Sequence, residues 1–350
     1  MDKKTILVLF GGCSVEYEVS LASGRAVLEA MAGSRYRALA AGITREGQWL
    51  LYTGPLERIT ENTWHSGDCV PCTLDVSRGS RALLLLDGSG RRVPLDGAFP
   101  VLHGKNGEDG TVQGLLELAD VPVVGCGALA SALCMDKKRS LLLAASAGVR
   151  VPRGFWFTPA SPRQAVHNAA GEIGYPVFVK PVRGGSSLGV SMVRTEAELD
   201  GAVAEAFRHD GEIALEEAVR GREVGCAVLG NGDDLRTGEV DEIEVREGFF
   251  DYAEKYTLKN SFIHCPARIP AEQAEAVKEA AKTVYRLLGC RGFARVDMFL
   301  TAEGEPVFLE CNTIPGMTPH SQYPRMMAAA GLPFPAVVET LIDLALEDRP

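Results

Sequence analysis

Apolar residues run unbroken through TILVLF (5–10) and stop at two glycines, the pattern of a strand covered on both faces that ends in a turn. After it Val19, Ala22, Ala26, Val27 and Ala30 recur at helical spacing, which predicts a helix over 19–31. Further apolar runs predict strands at 82–86 (ALLLL), 98–104 (AFPVLHG) and 122–126 (PVVGC), with a short helix, TVQGLLELA, between the last two. Strands alternating with helices argue for a parallel α/β sheet, here occupying residues 1–126.

A helix over about 128–147, stopped by Gly148, opens a second unit. Its strands are VPRGFWFT, YPVFVKPV, VSMV and EIALEEAV. Between them lie two helices. SPRQAVHNAAGEIG takes Ser161 as N-cap and Pro162 in the first turn, and TEAELDGAVAEAF is opened by a Thr195–Glu198 capping box. This is a mixed α+β unit over 127–220. A third unit, 221–350, begins with strands (EVGCAVLG, TGEVDEIEV, GFARVDMFL, PVFLECN) and adds a helix at about 270–289 and two C-terminal helices. REGFFDYAEKYTLKNS (246–261) is polar and aromatic without a period. A structureless stretch of that length inside a compact chain points to a functional loop.

The 350 residues suit two or three domains, since single cores stop growing near roughly 250–300 residues. With 46% hydrophobic and 23% charged residues the chain has enough apolar surface for a sizeable core. A net charge of −10 argues against a general nucleic-acid binder, though not against a local basic pocket for a small anion. The nine cysteines are scattered and odd in number, which fits no disulfide framework. No apolar run approaches the roughly 18 residues of a membrane span, and the apolar run at the start is too short for a signal segment. The expectation is a soluble protein of the reducing cytoplasm with no membrane or nucleic-acid partner.

Chemistry concentrates in FLECN and GFARVDMF. Glu310 and Asn312 sit two apart on a strand pattern and so share a face; Arg295 and Asp297 do the same on the preceding strand. A hairpin centred on Glu303–Gly304 sets Asp297 opposite Glu310, a register that a bulge would change. Carboxylates so paired lie about 4.5–5.5 Å apart at Cβ and repel, so something positive must offset them. Asp297, Glu310 and Asn312 are hard oxygen donors without His or Cys, a set suited to Mg²⁺. The competing reading is a solvated hairpin face paired to Lys or Arg; the flanking Val296, Met298, Phe299, Phe308 and Leu309 argue for a covered strand.

In VFVKPVRGGSSLGVSMV, Lys180 ends a strand and Gly184, Gly185, Ser186, Ser187 and Gly189 form the following loop. Successive loop amides make an anion nest. The loop leads into a strand, so it is not a Walker motif. Lys137 on the preceding helix and Glu216 and Glu223 in LEEAVRGREVG could complete a nucleotide site, although each alone reads equally as a surface residue. Glu16 stands at a strand–turn–helix junction, where α/β sheets bind ligands, and His103 and Glu108 lie in a second such loop, HGKNGEDG. Cys69-Val-Pro-Cys72 has no second pair and reads as a hairpin turn rather than a zinc site.

Seven stretches in this order, GGCSVEYEVSL, HGKNGEDGTVQG, CMDKKRS, VFVKPVRGGSSLGVS, FFDYAEKYTL, GFARVDMF and ECNTIPGMTPHSQYP, resemble the D-alanine–D-alanine ligases of the ATP-grasp superfamily over nearly the full length. The likeness extends to the glycopeptide-resistance branch that makes D-alanyl-D-serine. It implies an N-terminal α/β domain followed by a two-part ATP-grasp fold. It also implies ATP-driven formation of an acyl phosphate on one D-alanine, attacked by the amine of a second D-amino acid, for peptidoglycan precursors. By resemblance Glu16 would hold the first D-alanine's amine, with His103 close by; Lys137 and Lys180 would hold ATP phosphates under a flap formed by Ser186 and Ser187, and Lys255 would also bind ATP. Glu216 and Glu223 would hold the nucleoside. Asp297, Glu310 and Asn312 would bind two Mg²⁺, replaceable by Mn²⁺. Arg295 and the Gly316 amide would stabilise the oxyanion, Ser321 would take the second carboxylate, and Tyr256 would close the site with Ser186 and Glu16. A homodimer is expected from relatives.

Three departures bear on specificity. Gln322 follows Ser321, where ordinary members carry an apolar residue and resistance-type members often an arginine; a glutamine can bond a serine hydroxyl. Tyr256 stands where lactate-using relatives tend to have histidine, which favours an amine nucleophile. Cys311 replaces a small or apolar residue and points to the opposite face from its neighbours. The alternatives are another ATP-grasp carboxylate–amine ligase and an ATP-binding module with a dead site.

Overall fold

The structure, a computed structural model, describes residues 3–245 and 261–347. Lys255 and Tyr256, with nearly all of the expected lid loop, lie outside the described residues.

Thr5–Gly11 is the last but one strand of a seven-stranded sheet and is buried along its whole length, as its unbroken apolar run requires. It pairs in parallel with Arg37–Ile43 on one side and Gly97–Pro100 on the other. Past Arg37–Ile43 the sheet continues antiparallel through Trp49–Tyr52, Cys69–Asp75, Ala82–Leu85 and Arg92–Pro94. The parallel arrangement expected for this unit thus holds for Arg37–Ile43, Thr5–Gly11 and Gly97–Pro100. The remainder is an antiparallel extension, because short turns such as the one at Gly47 (φ +87°) can join only antiparallel neighbours. PVVGC makes a single bridge, Ala98 with Val123, instead of a strand, and Gly125 (φ +107°) then turns the chain away. Cys69 and Cys72 lie within a strand, not in a hairpin turn.

The second sheet is antiparallel, in the order Ser191–Val193, Val177–Pro181, Ile213–Glu217, Gly154–Phe157. Helices Arg163–Ile173 and Glu196–Phe207 cover one face. Pro162, not Ser161, is the N-cap of the first; the Ser161 hydroxyl accepts the Thr158 amide instead, at 3.0 Å. Thr195 holds the N-cap position of the second, but the expected capping box is not formed: its hydroxyl donates to the Glu198 carboxylate (3.1 Å), which also accepts the Arg194 amide (2.8 Å), and makes no cap bond to the helix amides.

The helix expected over 128–147 is broken into Ala128–Met135 and Lys137–Ser146. Asp136 between them is extended, and its side chain accepts the Arg139 amide as a new N-cap. The Lys137 amide, freed from a preceding helical turn, donates to Val182 O at 3.1 Å, just before the glycine loop. The break therefore points Lys137 at that loop.

A third sheet runs Ser261–His264, Asp241–Val245, Arg222–Asn231, Gly292–Leu300, Pro306–Asn312, with Asp234–Thr237 paired to Arg222–Asn231. Ala271–Leu287 packs Val277, Ala281, Val284 and Tyr285 against it. The C-terminal helix Phe334–Leu346 shares one core with the first sheet, where Val337, Val338, Leu341 and Ile342 join Ile6, Val8 and Phe10. It ties the two ends of the chain together instead of serving the third sheet alone. Among the described residues no single helix is long and apolar enough to cross a membrane.

Candidate active site

Arg295, Asp297 and Phe299 alternate onto one face of Gly292–Leu300, as a strand requires. Arg295 pairs with Asn312 and Asp297 with Glu310, the register expected from sequence. Past Asp297 the ladder shifts by one, pairing Met298 with Phe308 and leaving Leu309 as the extra residue of a β-bulge. The bulge turns Leu309 and Glu310 toward the same cavity. The repulsion between the facing carboxylates is offset on both sides. Arg295 grips Asp297 with two N–H donors (Nε to Oδ1 2.7 Å, one terminal nitrogen to Oδ2 2.6 Å), and Asn312 Nδ2 donates to Asp297 Oδ2 at 2.7 Å. Lys137 Nζ stands 3.3 Å from Glu310 Oε2 and donates to Gly184 O at 2.8 Å. Burial works against the charge of Arg295, but the Asp297 carboxylate, with Asp241 and Glu310 behind it, holds the guanidinium above its ordinary pKa. The donor set, two carboxylates and a carboxamide crowded on one face beside balancing cations, fits hard divalent ions.

Beside this hairpin lies a slot walled by Phe178, Leu188, Val219, Phe299 and Leu309. Lys180 and Glu216 form a buried ion pair across adjacent strands, Nζ to Oε2 2.6 Å. The other carboxylate oxygen, Glu216 Oε1, is buried with no hydrogen-bond partner among the described residues. A charged acceptor left unsatisfied in an apolar slot is costly and calls for a donor from a ligand. An aromatic base with an exocyclic amine suits it, and the site therefore fits a nucleotide.

The glycine loop hangs over both regions. Its left-handed residues are Ser186 (φ +52°) and Ser187 (φ +56°), with Gly189 (φ +74°), whereas Gly184 and Gly185 are not in that region. Two serines held in a sparsely populated conformation are strained, a feature found at ligand clamps. The reason for Gly185 is different: a Cβ there would stand 2.9 Å from Glu16 Oε2. The Ser186 hydroxyl donates to Glu16 Oε1, which joins the loop to the N-terminal turn.

The fifteen other residues picked out by sequence and resemblance, Lys255 and Tyr256 aside, line this slot or the cavity adjoining it; the two regions share Lys137, Gly184, Gly185, Ser186, Glu223 and Glu310. The adjoining cavity collects Glu16, His103, Arg295, Asp297, Asn312, Gly316, Ser321 and Gln322. Ser321 is the N-cap of Gln322–Ala329, so a helix N-terminus faces the cavity. Its Oγ accepts the Thr318 amide at 3.2 Å, and a Cβ on residue 316 would come within 2.8 Å of it, which explains a glycine there.

Three residues were not assigned a role from sequence: Glu108 in the cavity wall, and Ser23 and Asp241 buried behind it. Ser23 on helix Tyr17–Met31 lies 3.0 Å from His103 Nε2 and accepts the Met317 amide at 3.2 Å. It links the histidine to the Gly316 turn. Burial pushes the His103 pKa down against the pull of Glu16, which favours the uncharged ring. Glu108 accepts the Gly104 amide at 2.7 Å; burial, and then the nearby Glu16 carboxylate, push its pKa up to about 8. Asp241 is fully buried and accepts from the Gly225 amide (3.1 Å) and from Gln322 Nε2 (3.0 Å). Burial first, and the charge of Asp297 second, raise it to about 7 against the opposing pull of Arg295. The only sequence signal for Asp241 was a carboxylate opening an otherwise strand-like stretch.

Comparison with known proteins agrees with this geometry. Residues 5–126 match the family described as D-ala D-ala ligase N-terminus, and 143–343 match D-ala D-ala ligase C-terminus. A putative D-alanine–D-lactate ligase of Streptomyces coelicolor is 46% identical, covering 100% of this chain and 99% of its own. A D-alanine–D-alanine ligase of Caldicellulosiruptor bescii is 41% identical over 99% of this chain and 96% of its own. The crystal structure of the VanG D-Ala:D-Ser ligase from Enterococcus faecalis superposes with a TM-score of 0.92 at 50% identity, covering 98% of this chain and 99% of that one. The fold is an N-terminal α/β domain followed by an ATP-grasp core, and the chain belongs to the D-alanine–D-alanine ligase family.

Proposed function

We propose that this protein is an ADP-forming ligase that joins D-alanine to a second D-amino acid through an acyl phosphate, for peptidoglycan precursors. The observation that carries the reading is the junction of the two regions. Lys137, Ser186 and Glu310 belong both to the slot with the orphan Glu216 oxygen and to the cavity with Asp297 and Asn312. A nucleotide whose base meets Glu216 therefore extends its phosphates toward the hairpin. Asp297, Glu310 and Asn312 would hold two Mg²⁺, or Mn²⁺ in their place, which neutralise phosphate charge during transfer.

Lys180 and Lys137 bind the phosphates as point charges. Ser186 and Ser187 lay the loop over them, and Glu223 takes the ribose hydroxyls. Glu16 receives the ammonium of the first D-alanine, and His103, fixed through Ser23, borders it. The carboxylate of that substrate attacks the terminal phosphorus, ADP leaves, and the acyl phosphate forms. The amine of the second substrate adds to its carbonyl. Arg295 and the Gly316 amide hold the developing oxyanion, a preorganised arrangement worth several kcal/mol. Phosphate then departs and the amine's extra proton passes to solvent or a neighbouring base. Ser321 and the helix N-terminus behind it hold the second carboxylate. By the family resemblance Lys255 would add to the ATP contacts and Tyr256 would help keep water from the acyl phosphate. The domains are divided near residues 126 and 220, and the chain works as a cytoplasmic homodimer.

Gln322 beside Ser321, bonded to Asp241, favours D-serine as a second nucleophile alongside D-alanine, because the polar pair offers a partner to a hydroxyl. Phosphate release from ATP and Mg²⁺ is the test. It is expected with D-alanine, alone or mixed with D-serine, with dipeptides identified by mass. Release that ignores D-amino acids would contradict the reading.

A further inference from the structure

Beneath the catalytic hairpin, three thiols from separate parts of the chain meet. Cys134 comes from helix Ala128–Met135, Cys290 from the turn before Gly292–Leu300, and Cys311 from the strand Pro306–Asn312. The Cys134 and Cys290 Sγ atoms are 3.7 Å apart and those of Cys290 and Cys311 3.9 Å, and all three lie within 4.8 Å of one another. Among the described residues this is the one group of three His, Cys, Asp or Glu side chains whose donor atoms converge so closely. A disulfide needs sulfur atoms about 2.05 Å apart, so no pair is joined. A tetrahedral ion with sulfur at about 2.3 Å places its ligands about 3.8 Å from one another, close to the Cys134–Cys290 and Cys290–Cys311 separations.

The thiols are buried, and Cys134 and Cys311 belong to residues that line the catalytic cavity. Sulfur donors select soft cations over Mg²⁺, so the group does not compete for the hard ions of the hairpin. Cys311 sits between Glu310 and Asn312, with its side chain on the opposite face of the same strand. An ion fixed by Cys311 therefore constrains the backbone that carries both oxygen donors.

We propose that Cys134, Cys290 and Cys311 form a site for one soft divalent d¹⁰ cation of the zinc class, and that its occupancy restrains the Glu310–Asn312 strand and lowers ligase turnover. Each ligating thiol gives its proton to the buffer as the ion enters. The inhibition rests on the ligase reading, whereas the binding does not, and the two are measured separately.

The full chain, reduced with a phosphine and held in excess Mg²⁺, is titrated with Cd²⁺ and with Zn²⁺. One equivalent of Cd²⁺ is expected to raise the ultraviolet thiolate-to-cadmium absorption, and one equivalent of Zn²⁺ to be retained on dialysis. Cys290→Ala should weaken both at least about tenfold, while Cys13→Ser, in an exposed cysteine, should change neither. Asp297→Asn should bind Zn²⁺ as wild type does even if it is inactive, which separates this site from the hairpin. Zn²⁺ should slow turnover of the wild type and spare Cys290→Ala. In unmutated protein Zn²⁺ should also protect Cys134 and Cys311 from alkylation, read by mass spectrometry, so the test stands if a variant fails to fold. The thiols are only core packing if no thiolate band appears, if Zn²⁺ gives no protection, or if a folded Cys290→Ala binds like wild type.

Discussion

The Ser186 hydroxyl donates to the Glu16 carboxylate, so the strained serine of the glycine loop is pinned to the N-terminal turn 170 positions away in sequence. The contact holds the loop over the junction of the two regions. A hydrogen bond to a charged group is worth about 1.5–3 kcal/mol. Ser186→Ala should therefore lower kcat/KM for D-alanine by about 10–100-fold while leaving the unfolding midpoint within a degree or two. Initial rates at varied D-alanine and saturating ATP give the first, calorimetry the second. Unchanged kinetics would remove the loop from the account.

Gln322 and Asp241 set the second prediction. Removing the carboxamide leaves Asp241 with one hydrogen-bond donor among the described residues, the Gly225 amide, and presents an apolar wall. Gln322→Leu should shift the product ratio from D-alanyl-D-serine toward D-alanyl-D-alanine by about tenfold, the value of one hydrogen bond of roughly 1.5 kcal/mol. Competition of equimolar D-alanine and D-serine, read by mass, measures it. An unaltered ratio would assign the preference elsewhere.

The third concerns pH. Glu108, with a pKa of about 8 in the fold, carries a proton over a range where an unfolded glutamate is already ionised. The native state binds more protons than the unfolded one between the unfolded value and about 8, so stability falls as pH rises through that window. Glu108→Gln, which cannot ionise, should show a smaller loss of thermal midpoint between pH 6 and 8.5. Parallel curves for variant and wild type would place the proton on another group.

Much of this site could be read from the chain because its parts follow local rules. Alternation alone put Arg295 with Asp297 and Glu310 with Asn312, and the turn residues fixed the Asp297–Glu310 pairing. What escaped was set by packing between distant segments. The helix break at Asp136 answers to the Lys137 amide meeting Val182 O, a contact with no trace in helical periodicity. The bulge at Leu309 preserves the register at the carboxylates and changes it only toward the turn. Arg37–Ile43 is rich in alanine, which favours helices, yet it becomes a strand because Thr5–Gly11 offers it a parallel edge. Asp241 and Ser23 gain meaning only when Gln322 and His103 arrive beside them. The thiols of Cys134, Cys290 and Cys311 are scattered in sequence and converge only in the fold.

The most direct measurement is the Mg²⁺ dependence of D-alanine-driven ADP release in wild type and Asp297→Asn. The substitution keeps the side-chain volume and removes one of the charges that the hairpin gathers. The account predicts a wild-type circular dichroism spectrum together with turnover reduced at least about a hundredfold, a loss of a few kcal/mol of transition-state stabilisation. Wild-type-like turnover at the same Mg²⁺ concentration would contradict it.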